Sequence, residues 1–158
     1  LYRLGVMYLD HDRSAEAARV FFKAAQLRPK DVRTLVNLGA AFDAAGSAAQ
    51  AQDYYKKALV LAPSDSVATC RLASSIYAQA SPTDPVKYQQ AVDLLRDVIK
   101  RRPSAYCAYF TLGVAFADAG LYRDAIRMWR KVVDLAPGTP EAVSSTESIE
   151  VLEKFVTK

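Results

Sequence analysis

Leu35, Leu38, Gly39 and Phe42 fall at i, i+3, i+4 and i+7, the spacing that lines one face of a helix. Polarity breaks at Gly46-Ser47, where Ser47 is placed to cap a second helix and Gln50 to complete a capping box. Ala51, Tyr55 and Ala58 form the apolar face of that second helix, which stops before Pro63, a residue that cannot continue a helix. Further along, Leu112, Gly113 and Phe116, the Gly120 break, and then Ala125, Trp129 and Val132 before Pro137 repeat the layout. Small residues at Gly39, Gly113 and Ala51 let helix axes approach, and large ones at Phe21, Tyr55, Leu95 and Trp129 fill the space between neighbours.

The pattern has a fixed period. Pro29, Pro63, Pro103 and Pro137 are separated by 34, 40 and 34 residues, and so are Ala17, Ala51, Ala91 and Ala125. Leu4-Gly5, Leu38-Gly39, Leu72-Ala73 and Leu112-Gly113 are separated by 34, 34 and 40. One insertion of six residues therefore lies between Ala73 and Ala91, in the stretch Ser81-Pro82-Thr83-Asp84-Pro85. Agreement of three ladders marks an array of helix pairs. Asp84-Pro85 reads as a cap followed by a first-position proline, which starts that helix earlier than its counterparts.

These residues resemble the tetratricopeptide repeat (TPR) family. Its pattern of a bulky residue, Leu-Gly and an aromatic, then Ala, Phe and Pro, is matched by Leu1, Leu4, Gly5, Tyr8, Ala17, Phe21 and Pro29. Leu35, Leu38, Gly39, Phe42, Ala51, Tyr55 and Pro63 match it again, as do Tyr109, Leu112, Gly113, Phe116, Ala125, Trp129 and Pro137. The third copy is weakest, with Thr69, Leu72, Ala73, Ile76, Ala91, Leu95 and Pro103. The resemblance implies an all-α, right-handed solenoid of four helix-turn-helix units at 1–31, 32–65, 66–105 and 106–139. A terminal helix at 140–158 follows, with Thr139 as its cap and Pro140 at its first position. Ala142, Ile149, Leu152 and Val156 take its inner side, and Ser144, Ser145, Ser148, Glu150 and Glu153 take the rest, as a solvated terminal helix requires.

Composition narrows the chemistry. At 51% hydrophobic and 24% charged over 158 residues, the chain can bury a core and is not disordered. Its longest uncharged stretch, Pro103 to Ala117, is shorter than the roughly 18 to 20 apolar residues a membrane span needs. The chain opens Leu1-Tyr2-Arg3 with no signal peptide and no initiator Met, the expectation being a segment of a longer protein. The single His11, in the turn Asp10-His11-Asp12-Arg13, has no metal-ligand spacing around it. Cys70 and Cys107 form no CxxC pair, and the expectation is free thiols in a reducing compartment, the cytoplasm. Phosphate loops, nucleophile elbows and HExxH sequences are absent, so no catalytic residue, cofactor or metal is expected.

A net charge of +4 raises nucleic-acid binding, with Lys100-Arg101-Arg102 and the group Arg123, Arg127, Arg130 and Lys131 as its basis. The first cluster ends a helix, where cations complement the dipole, and the second lies opposite the packing face of Trp129. Neither is interleaved with aromatics, which argues against nucleic acid as a partner.

The outward sides of the first helices are the candidate site. Solenoid stacking sets them side by side on one concave surface. The first unit contributes Tyr2 and Val6, and the second Arg33, Val36, Asn37 and Ala40. The third contributes Val67, Cys70, Arg71 and Ser74 with Tyr77 at its flank, and the fourth Cys107, Phe110 and Val114. Apolar residues where solvated ones belong mark a binding groove, with Asn37 and Arg71 as polar anchors and Val36 and Phe110 near its centre. TPR domains that clamp the C-terminal carboxylates of chaperones carry Lys at the positions of Tyr2 and Val67 and Asn at that of Val6. Asn37 and Arg71 keep the clamp residues, but both lysines are missing. The implied ligand is a protein or peptide segment with apolar side chains. The rival readings are an array that self-assembles and a substrate-positioning module of a multidomain protein.

Overall fold

The computed structural model describes residues 1–80 and 84–156. Among them the chain forms helices and no strands. The helices are α1 (Tyr2–Asp10), α2 (Ser14–Leu27), α3 (Val32–Ala44), α4 (Ala48–Leu61), α5 (Ser66–Gln79), α6 (Pro85–Arg101), α7 (Tyr106–Asp118), α8 (Tyr122–Leu135) and α9 (Pro140–Val156). Each odd helix packs on the even one after it and on the even one before it, and α9 closes against α8. Successive first helices also touch, α1 on α3, α3 on α5 and α5 on α7.

Three glycines make the helix pairs possible. A Cβ on Gly5 would stand 2.7 Å from the Phe21 ring, and one on Gly39 would stand 2.5 Å from that of Tyr55. Gly113 meets the Trp129 indole still more closely. In the third unit Ala73 and Leu95, both fully buried, replace a glycine and an aromatic, so a smaller partner admits the extra methyl.

The turns that join α1 to α2, α3 to α4 and α7 to α8 share one geometry. Residues at positive φ, Asp12, Gly46 and Gly120, end α1, α3 and α7. The next N–H bonds back five residues: Arg13 to the Tyr8 carbonyl, Ser47 to Phe42 and Leu121 to Phe116, each at 2.8 Å. This is the long bond of a Schellman motif. It also corrects the expected capping box at Ser47. The turn holds Ser47 at φ −102, ψ 64 rather than in the extended conformation of a capping residue, and its side chain caps no N–H among the described residues. Side-chain caps occur at the starts of α3 and α5, where Asp31 accepts from the Arg33 N–H and Asp65 from that of Ala68.

The α6 helix has 17 residues against 14 in α2, α4 and α8, and Asp84 accepts from the Lys87 N–H ahead of Pro85. Its early start is as the sequence indicates. The rest of the expected insertion, residues 81–83, lies outside the described residues. Thr139 caps α9 by accepting from the Ala142 N–H at 3.2 Å. Ser145 departs from the expectation of a solvated position: it is fully buried, and its Oγ has no hydrogen-bond partner among the described residues. Contact with α8 covers that side of α9, while Val143, Val151 and Phe155 face outward.

Among the described residues the core includes three linked clusters. Phe21 and Ala17 meet Leu38 and Ala41; Tyr55 and Ala58 meet Leu35, Ala68 and Leu72; Leu95 and Val98 meet Ala105 and Leu112. Every cluster joins one unit to the next, the nearest-neighbour arrangement of a solenoid. Leu1, the N-cap of α1, and Leu4 within it occupy the positions of Leu35 and Leu38 yet are 53% and 39% exposed; α1 packs on α2 and α3.

Candidate binding groove

The exposed side of α1, α3, α5 and α7 divides into three parts. At the α1 end, the Tyr2 hydroxyl accepts from Asn37 Nδ2 at 2.7 Å and from the Arg33 guanidinium at 3.2 Å, and the same guanidinium lies 4.9 Å over the Tyr2 ring. Tyr2 in turn packs edge-on against Phe21. Asn37, expected as a free anchor, thus donates one amide N–H to Tyr2.

The centre is a cavity of about 340 Å³ lined by Val67, Arg71, Ser74, Phe110, Thr111 and Asp43, with Tyr106, Glu141 and the two cysteines completing it. Arg71 is exposed, and its guanidinium donates to no group among the described residues. Val67 is 54% exposed and Phe110 is half-buried. Beneath them Asp43 accepts from the Tyr55 hydroxyl at 2.7 Å and from Ser75 at 2.8 Å, so both carboxylate oxygens are engaged. Burial, followed by the hydrogen bond to Asp43, raises the Tyr55 phenol above its ordinary value.

Tyr77 sits apart, at the C-terminal end of α5. Its hydroxyl donates to Asp118, and it lines a separate hollow of about 640 Å³ with Pro85 and Tyr88. Burial, then Asp118, raises this phenol too. Val6 and Val114 are half-buried on their helices.

Three expected groove residues are not exposed. Val36 is 6%, Ala40 9% and Cys70 5% exposed. A helical wheel treats each helix alone, whereas here α3 packs on α5 and α5 on α7, which covers the flanks of all three. Val36 belongs to the cluster with Ala51, Tyr55 and Leu72. The expectation of free thiols also fails: Cys70 and Cys107 are joined by a disulfide across α5 and α7. Their 37-residue separation removes any local signature, and the inference of a reducing compartment loses its basis. Sequence reasoning passed over Asp43, Tyr106 and Glu141. Asp43 lies one turn beyond Ala40 on the same side of α3, a spacing that signals it, whereas Glu141 arrives from α9, outside any repeat ladder.

The other candidate chemistry is solvated surface. His11 Nδ1 donates to the Met7 carbonyl at 2.9 Å and is exposed beside Asp10 and Asp12. Arg101 pairs with Asp97 and donates to the Pro63 carbonyl; Arg127 pairs with Asp124 and Arg130 with Glu153, each at 2.7 Å. No described helix is long and apolar enough to cross a membrane.

Comparison with known proteins agrees with this architecture. The tetratricopeptide repeat family profile matches residues 2–66 and 87–140. A peroxisomal targeting signal receptor of Candida albicans is 29% identical over 123 residues, 73% of this chain, which spans only 20% of that receptor's length. A thermophilic TPR protein of Thermus thermophilus superposes with a TM-score of 0.83 at 22% identity, over 98% of this chain and 80% of its own. MamA of Desulfovibrio magneticus RS-1 gives 0.65 at 21%, over 99% and 93%. The first TPR domain of Spaghetti, solved with an HSP90 peptide, gives 0.68 at 18%, over 80% and 96%. The chain belongs to the tetratricopeptide repeat family.

Proposed function

We propose that this chain is a non-catalytic protein-interaction module that holds an extended segment of a partner protein along its concave groove. One observation carries the reading: Arg71, a fork of donors held by no side chain among the described residues, stands beside the exposed Val67 and the half-buried Phe110 in one cavity. The guanidinium grips a backbone carbonyl or carboxylate, and the apolar pair takes a side chain of the ligand. A TPR domain of the same fold carries an HSP90 peptide. An acidic C-terminal tail is disfavoured, because Tyr2 and Val67 offer no cation and Asn37 is bound to Tyr2.

The test is selection of a binder from a displayed library of random 12-residue peptides, followed by affinity measurement. A double variant, Arg71→Ala with Phe110→Ala, is expected to weaken binding at least tenfold, since a few central anchors carry most of such an interface. Unchanged affinity in the double variant would overturn the reading. Self-association has its own observation, the exposed Leu4 and Met7 of α1. Light scattering tests it: a mass that rises with concentration and returns to that of the monomer in Leu4→Glu would establish it.

A further inference from the structure

Side-chain links that join α5 directly to α7 include the Cys70–Cys107 disulfide, a 3.2 Å hydrogen bond between Ser74 and Thr111, and the hydroxyl of Tyr77 on Asp118. Only the first is covalent, and both its sulfurs belong to residues that line the central cavity beside Arg71 and Phe110. The two helices bring these Cα atoms to 6.1 Å, within the range a disulfide spans.

The two cysteines are not equivalent. Cys70 lies mid-helix and is only 5% exposed, enclosed with Ala73, Ala108 and Leu112. Cys107 is half-buried at the second position of α7, where the groove gives access to it. The N-cap of α7 is Ala105, which has no side chain to satisfy the first-turn N–H groups. Access therefore falls on the Cys107 sulfur, with a buried second cysteine in bonding reach behind it.

We propose that Cys70 and Cys107 form a reversible thiol–disulfide exchange site, with a dithiol as co-reactant, that fixes the spacing of the third and fourth units. A thiolate of the dithiol attacks Cys107 Sγ, the bond to Cys70 breaks, and Cys70 leaves as a thiolate and takes a proton. The second thiolate of the reductant attacks its own partner sulfur in the mixed disulfide and expels the Cys107 thiolate. Two electrons pass from the dithiol, now a cyclic or intramolecular disulfide, to the cysteine pair. In reverse, the Cys107 thiolate attacks a disulfide oxidant and Cys70 resolves the mixed disulfide. With the bond open, α5 and α7 keep their packing and the two hydrogen bonds, and the cavity between them loses its covalent floor. The exchange stands on the geometry of the pair alone; its effect on ligand binding rests on the groove reading above.

The experiment equilibrates the native chain in buffers of varied reduced to oxidised dithiothreitol, traps free thiols with a maleimide mass tag, and follows hydrogen exchange by mass spectrometry. Untreated, oxidised chain is expected to take no tag, and reduction without denaturant is expected to give two tags together. Once reduced, Cys107 is expected to react with iodoacetamide at least tenfold faster than Cys70. Amides in 66–79 and 106–118 are expected to exchange at least threefold faster in the reduced chain, and equally so in Cys70→Ser and Cys107→Ser, while α1 to α4 stay unchanged. Thiols that tag freely after oxidation, a bond that opens only in denaturant, equal alkylation rates, or matching exchange profiles would each overturn the proposal. None of these readouts uses a peptide ligand, so failure of the groove reading leaves them intact.

Discussion

Replacing Gly39 by Ala puts opposing effects on one position. In a helix interior alanine is favoured over glycine by about 1 kcal/mol, so propensity alone predicts a more stable protein. The new Cβ, however, would lie 2.5 Å from Tyr55 Cε1 and 2.8 Å from Cδ1. Tyr55 is fully buried, and its hydroxyl is pinned to Asp43 at 2.7 Å, so the ring cannot swing aside without giving up that bond. Overpacking a filled core costs about 1–3 kcal/mol, and loss of a hydrogen bond to a charged group about 1.5–3 kcal/mol. Clash and lost bond exceed the propensity gain, and Gly39→Ala is expected to destabilise by about 2 kcal/mol in urea unfolding followed by circular dichroism. The third unit supplies the control, because Ala73 faces Leu95 there. Tyr55→Leu alone loses ring packing and should cost about 3 kcal/mol, but added to Gly39→Ala it removes the obstacle. The double variant is then expected to fall short of the summed costs by at least about 1 kcal/mol, a coupling a double-mutant cycle resolves. A stabilised Gly39→Ala, or strict additivity with Tyr55→Leu, would refute the close-approach argument.

Ser145→Ala removes a buried hydroxyl that no partner satisfies among the described residues, and a gain of about 1 kcal/mol is expected in thermal unfolding. Asp65→Ala deletes the cap that accepts from the Ala68 N–H at 2.9 Å, and a loss of about 1 kcal/mol is expected by urea midpoint, against no loss for Ser47→Ala, whose side chain caps nothing among the described residues. Alkaline stability follows from the raised phenols of Tyr55 and Tyr77. A phenol whose folded pKa lies above its unfolded value of about 10 contributes stability that is complete below that pH and lost as pH rises through the folded value. Tyrosinate absorbance is therefore expected to show these two phenols ionising late, together with loss of helical signal, and Tyr55→Phe to remove one of them.

What the sequence reveals and what it hides divide along one physical line. Contacts inside a unit have a fixed spacing in the chain: Gly5 to Phe21, Gly39 to Tyr55 and Gly113 to Trp129 are each 16 residues apart. A 34-residue period exposes such pairs, because every copy repeats them in register. Contacts between units depend on how far one helix pair rotates and shifts against the next, a quantity with no period to reveal it. Val36, Ala40 and Cys70 look outward on a wheel and are buried by that rotation, and Cys107 is brought to Cys70 by it. The same holds at the end of the array, where α8 covers Ser145 and Glu141 enters the groove. Binding in a solenoid also lies between units, on the face where successive first helices meet. The spacing between units is thus the variable that hides the candidate groove residues from the sequence, and between the third and fourth units one covalent bond spans it.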